Sequence, residues 1–180
     1  RHTPKTHALP CRTKPDLTQP DRSPPQISLP YRTDPCAAVE VAVDKDTGAV
    51  KVLNIVSSTN PGKAIFWNGT LAQLEGGAVQ SLGYELMWAP VMDATNGTLL
   101  NPNYLDCKFP TIKDVPVKNF TSIIYESADK SGPLGAKGVG ERPLGPTAAA
   151  INSAIYNAVG ARVRMEPATP VQVLKALGKA

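Results

Sequence analysis

The chain has 180 residues, 42% of them hydrophobic, which suits one domain of modest core with an appendage. Its formal charge of +4 sits at one end: residues 1–35 carry Arg1, Lys5, Arg12, Lys14, Arg22 and Arg32 against Asp16, Asp21 and Asp34, and the remainder is almost balanced. A nucleic-acid surface would need a basic face with aromatic stacking partners, and this stretch offers Tyr31 alone, so a nucleic-acid partner is not expected.

No apolar run is long enough for a membrane span, and no secretory leader is visible. The three cysteines, Cys11, Cys36 and Cys107, are far apart and odd in number. They form no C-x-x-C pair, which argues against a disulfide framework and against a zinc or iron–sulfur site built from this chain. The expectation is a cytoplasmic protein.

Residues 1–35 are rich in proline (Pro4, Pro10, Pro15, Pro20, Pro24, Pro25, Pro30, Pro35), at a density that prevents helices and sheet ladders. They read as an extended linker or arm. Both histidines, His2 and His7, lie there. Residues 36–180 therefore cannot hold a Ser-His-Asp triad, a Cys–His pair or a histidine metal site.

The ordered part begins near Cys36. Val39–Val43 alternates as a strand does, Asp44-Lys45-Asp46-Thr47-Gly48 supplies turn chemistry, and Val50–Val56 reads as the return strand of a hairpin. Ser57 to Trp67 reads as loop. Asn68 to Trp88 reads as a helix, with Leu71, Leu74, Ala78, Leu82 and Leu86 at helical spacing. Gly76-Gly77 inside it costs about 1 kcal/mol per glycine against alanine, so a close backbone approach is expected there. Phe120 to Glu126 reads as a strand.

Next comes Gly132-Pro133-Leu134-Gly135-Ala136-Lys137-Gly138-Val139-Gly140-Glu141-Arg142-Pro143-Leu144-Gly145-Pro146-Thr147, then a helix over Ala148–Val159 with an apolar stripe and Gly160 as its stop. Glycines let backbone N–H groups approach a ligand, and a helix start adds unpaired donors and partial positive charge. The spacing matches neither the dinucleotide G-x-G-x-x-G nor a P-loop. By pattern alone it is a loop for a polar ligand, and Glu141 is either a passive charge near a helix start or a working base. Thr169-Pro170-Val171-Gln172 reads as a capping box for a last short helix.

Three stretches together resemble one family. Gly135-Ala136-Lys137-Gly138-Val139-Gly140-Glu141, followed by Pro146-Thr147-Ala148-Ala149-Ala150-Ile151, resembles the C-terminal end of the molybdenum subunit of the xanthine oxidase and aldehyde oxidoreductase family of molybdenum hydroxylases. Gln73-Leu74-Glu75-Gly76-Gly77 with Gln80-Ser81-Leu82-Gly83 resembles that family's "Q-x-E-G-G…Q-G-x-G" helix. Leu100-Asn101 through Lys108-Phe109-Pro110-Thr111 and Asp114-Val115-Pro116 continue the likeness. Cys107 stands where relatives commonly have tyrosine and reads as a buried, inert thiol. Ser58-Thr59-Asn60-Pro61 departs from the usual Asp-x-Gly.

The resemblance implies an α+β fold, with a β-hairpin and short strands packed with three helices as part of a larger molybdopterin-binding domain. It implies that Glu141 is the catalytic base and that Gln73, Lys137, Gly138, Val139 and Gly140 contact the cofactor, with no metal ligand from this chain. The cofactor implied is molybdenum–molybdopterin, either plain or as the cytosine dinucleotide. The reaction implied is oxidative hydroxylation of an aldehyde or N-heterocycle with oxygen from water. Partners implied are another molybdenum-subunit chain and iron–sulfur and flavin (FAD) subunits, active only together. The competing expectation is a structural subunit without turnover. Arg142, where relatives often have proline, could pair with a cofactor phosphate or an acidic substrate, or face solvent.

Overall fold

A computed structural model describes residues 33–180 except Ala128 and Ser131. The greater part of the proline-rich tract, with both histidines and Cys11, lies outside the described residues. Three strands and three main helices follow in the order β1 (Cys36–Val43), β2 (Val50–Thr59), α1 (Trp67–Leu86), β3 (Phe120–Ile124), α2 (Leu144–Val159) and α3 (Pro170–Ala176). This is the α+β architecture the resemblance implied.

The hairpin forms because its turn satisfies itself locally. The Asp44 carboxylate accepts the N–H groups of Asp46 and Thr47, and Gly48 N–H donates to Asp44 O at 2.8 Å. β1 and β2 pair antiparallel, with a register shift between Glu40 and Val41. β3 joins the other edge of β2 in parallel, pairing Ile55 with Phe120 through Thr59 with Ile124. A parallel neighbour needs a crossover connection, and α1 with residues 87–119 supplies it. This pairing corrects the expectation of loop from Ser57: Ser57–Thr59 are strand, because β3 completes their ladder.

The inner sheet face (Val39, Val41, Val52, Ile55) packs on Ala78 and Leu82 of α1 and on Ile151, Ala154 and Ile155 of α2, with Val163, Ala168 and Val173 closing the cluster. Full burial of a side chain such as Ile155 contributes roughly 1.5–3 kcal/mol. α3 is capped by Thr169, whose hydroxyl accepts Gln172 N–H at 3.4 Å. Only half of the expected box forms, since the Gln172 amide reaches Met165 Sδ at 3.6 Å and Thr169 N–H bonds Pro167 O. Lys179 Nζ, beyond α3, bonds Lys45 O and Asp46 across the hairpin turn.

Residues 88–116 fold back over the end of α1. Trp88 meets Tyr84 edge-on and Phe109 at a ring distance of 5.1 Å, and Tyr104 meets Phe109 edge-on. Asn101, buried, clamps this excursion by accepting Val91 N–H and donating to Ala89 O. Cys107 is buried, as expected.

Candidate functional site

The glycine stretch is held on one side by the turn that follows β2. Lys137 N–H donates to Pro61 O at 2.8 Å, Lys63 N–H donates to Gly135 O at 2.7 Å, and Gly62 and Ala136 form an antiparallel bridge. The approach requires glycine at 62: its φ is 67°, and a Cβ there would stand 2.3 Å from Gly135 O. The Pro61 turn is itself fixed by Asn60, whose Oδ1 accepts Gly62 N–H and whose Nδ2 donates to Ser127 Oγ. Glu126 adds a second tie. Its carboxylate accepts Ala64 N–H at 2.8 Å and pairs with Lys63 Nζ at 3.2 Å, and these contacts, the backbone bond first, hold it below the usual carboxylate range. From the other side Thr33, buried just before β1, donates its hydroxyl to Gly138 O.

Beyond Gly138 the backbone makes two overlapping turns. Arg142 N–H donates to Val139 O at 3.2 Å, and Leu144 N–H donates to Glu141 O at 3.1 Å. The second turn runs into α2, which begins at Leu144 and not at Ala148 as the sequence suggested. Pro146 misled that expectation, yet in a first helical turn its missing N–H leaves no bond unmade. The helix start is anchored from inside: Thr147 Oγ1 donates to Pro143 O, and Ser81 Oγ of α1 lies 2.6 Å from Leu144 O. Pro143 rests on Gly77, where an added Cβ would stand 3.1 Å from Pro143 Cβ. The close approach expected of the α1 glycines is therefore real for Gly77.

An open cavity of about 390 Å³ is lined by Gly138, Val139, Gly140, Glu141 and Arg142. Four of the six residues named from sequence thus come together. Lys137 does not line it, and its stem packs beside Gly62. Gln73 does not line it either. It is exposed on α1 one turn before Gly77, on the face that meets Pro143. Glu141 and Arg142 are both exposed. A Cβ placed on Gly138, Gly140 or Gly76 would meet nothing within 4 Å, so bare backbone faces open space at all three. At Gly138 and Gly140, which line the cavity, that space is open to a ligand approaching the backbone. Among the described residues no three His, Cys, Asp or Glu side chains gather as metal ligands.

The sequence reading missed the supports: Glu126, Asn101 and Ser81. Each acts on a partner 10 to 63 residues away, and no local pattern signals that. It also missed Glu85 of α1, a carboxyl with no exposed surface. Its oxygens lack a partner of regular geometry, and burial first, then Glu166, raises its pKa to about 8.

Comparison with known proteins gives the chain a family. Residues 11–116 match the family described as molybdopterin cofactor-binding domain. The xanthine dehydrogenase molybdenum-binding subunit of Escherichia coli O157:H7 is 34% identical over 151 residues, covering 81% of this chain and 20% of that one. Among solved structures, the aldehyde oxidoreductase of Desulfovibrio desulfuricans ATCC 27774 is 37% identical with a TM-score of 0.69, over 77% of this chain and 15% of that one. Quinoline 2-oxidoreductase from Pseudomonas putida 86 is 25% identical with a TM-score of 0.73, over 79% and 18%. The chain spans about a fifth of the length of the curated relatives it matches. No described helix is long and apolar enough to cross a membrane. The chain belongs to the molybdopterin cofactor-binding domain family, among the molybdenum-binding subunits of the xanthine dehydrogenase and aldehyde oxidoreductase type.

Proposed function

We propose that this chain supplies the catalytic base and one wall of the molybdopterin site of a molybdenum hydroxylase that oxidatively hydroxylates an aldehyde or an N-heterocycle. The observation that carries the reading is the exposed Glu141, lining an open cavity together with Gly138, Val139, Gly140 and Arg142.

The molybdenum cofactor, when bound, supplies the two-electron redox centre. The chain's own residues bind and move a proton. The backbone of Gly138 and Gly140, with no Cβ and open space where one would stand, suits the approach of the polar edge of a pterin. Lys137 and Gln73, outside the cavity lining, also contact the cofactor. Glu141 takes a proton from a water-derived oxygen as that oxygen bonds to the substrate carbon, which a positioned carboxylate does well. The two turns around Glu141 hold its backbone in place.

Turnover needs partner chains or segments: the rest of a molybdenum subunit, an iron–sulfur subunit and a flavin subunit. The apolar surface supports this. Phe66, Tyr104, Leu105 and Ile112 are exposed, as expected of faces that dock on protein. The cofactor is molybdopterin or its cytosine dinucleotide, and the compartment is the cytoplasm.

The test is Glu141→Gln in the assembled enzyme. Turnover should disappear while molybdenum and pterin content stay at the wild-type level. Turnover that survives removes Glu141 from the mechanism. A purified assembly without molybdenum would leave this chain as a scaffold.

A further inference from the structure

Arg142, next to Glu141 in the chain, has no acidic partner among the described residues. Arg142 lines the same cavity, and its backbone N–H is tied to Val139 O, which fixes where its side chain starts. The ion pairs among the described residues are Lys63–Glu126 and Lys179–Asp46, and neither involves Arg142. Arg162, by contrast, lies over the Tyr156 ring at 4.6 Å. The adjoining start of α2 has no side-chain cap and no acid in its first turn.

We propose that Arg142 selects the substrate: it receives a carboxylate carried by the molecule whose oxidisable carbon faces Glu141. The inference rests on the reading of Glu141 as the base. A guanidinium fork matches a carboxylate with two parallel N–H donors, which a lysine cannot reproduce. The Glu141 carboxylate repels an anion, so the substrate's charged group is driven to the Arg142 side of the cavity. The two residues are consecutive, with Cα atoms about 3.8 Å apart, so one small molecule in the cavity meets both. The substrate class is a carboxylated aromatic aldehyde or carboxylated N-heterocycle.

The experiment compares the assembled wild-type enzyme with Arg142→Gln and Arg142→Lys. The readout is the ratio of kcat/KM for 4-formylbenzoate to that for benzaldehyde, with nicotinate against nicotinamide as the heterocycle pair. Losing a charge-assisted contact should lower the ratio by roughly 10- to 100-fold in Arg142→Gln, mainly through KM, with partial recovery in Arg142→Lys. An unchanged ratio overturns the proposal. Loss of bound pterin in Arg142→Gln also overturns it, because the oxyanion would then be the cofactor's phosphate. Equilibrium dialysis of benzoate against the same proteins needs no turnover. About tenfold weaker binding in Arg142→Gln supports the assignment, and equal binding refutes it. Should Glu141→Gln remain active while the ratio still depends on Arg142, the base is misassigned and the anion site stands. Should Glu141→Gln be dead and the ratio indifferent to Arg142, only the anion site falls.

Discussion

Gly77 and Pro143 touch where α1 crosses the entrance to α2, at 3.1 Å between Pro143 Cβ and the position a Gly77 Cβ would take. Pro143 is fully buried and its ring cannot rotate away, so Gly77→Ala must push the Glu141–Pro143 turn outward. Gly76 next to it meets nothing. In the full chain, Gly76→Ala should gain up to about 1 kcal/mol in helix propensity. Gly77→Ala should lose roughly 1 kcal/mol or more as overpacking outweighs that gain. Urea unfolding of the two variants measures the difference. Equal stabilisation by both would refute the contact.

Glu126 ties the glycine stretch down from a distance. It holds Ala64 N–H and Lys63, and the Pro61–Lys63 turn holds Gly135 and Lys137 in turn. Glu126→Ala should speed hydrogen exchange at the Lys63 and Lys137 amides while global stability changes little. Its folded-state pKa is lowered, so its contribution is present above the ordinary carboxylate value and is lost as pH falls through the lowered one. Exchange at these amides in the wild type should therefore rise below about pH 4.5 towards that of the variant. Unchanged protection in Glu126→Ala would show that the loop holds its shape without the clamp.

What the sequence disclosed, and what it hid, divides by range. The β1–β2 turn was legible because Asp44 satisfies its own neighbours. The glycine stretch was legible by composition, and the end of α2 by Gly160. The last residues of β2 were not. Ser57 and Thr59 have the composition of a loop, and they are strand because β3, more than sixty residues on, pairs with them. The start of α2 was hidden by Pro146, which normally announces an end. In the site, Glu141 was named from resemblance, and its neighbours Gly138–Gly140 gather with it in one cavity. Gln73 and Lys137 do not line that cavity.

Ser81 stitches α1 to the start of α2. It is fully buried, with Leu144 O at 2.6 Å and Gly77 O at 2.8 Å, and its single proton serves one of them at a time. Ser81→Ala removes about one net hydrogen bond, a loss of about 0.5–1.5 kcal/mol. Ser81→Val also forces extra carbon between the helices and should cost a further 1–3 kcal/mol or so. Urea midpoints at constant m-value give both figures. A neutral Ser81→Ala would mean that the two carbonyls are satisfied without it.

Glu85 makes stability depend on pH in the direction opposite to Glu126. Its carboxyl has no exposed surface and lies near Glu166 and the unpaired Asn152 Oδ1. Burial, then the Glu166 charge, raises its pKa from 4.5 to about 8. The folded chain thus holds this proton more tightly than the unfolded one. Stability is fullest below about pH 4.5 and falls as pH climbs towards 8, by about 1.4 kcal/mol per unit at the steepest and a few kcal/mol in all. Glu85→Gln keeps the shape without the charge. Urea unfolding of the full chain should show little difference from wild type near pH 4.5. By pH 8 the variant should be more stable by roughly 2–4 kcal/mol. Glu166→Gln should recover part of that gain by removing the second charge. If wild type and Glu85→Gln lose stability in parallel from pH 5 to 8, the buried carboxyl is ionised throughout and the burial argument fails.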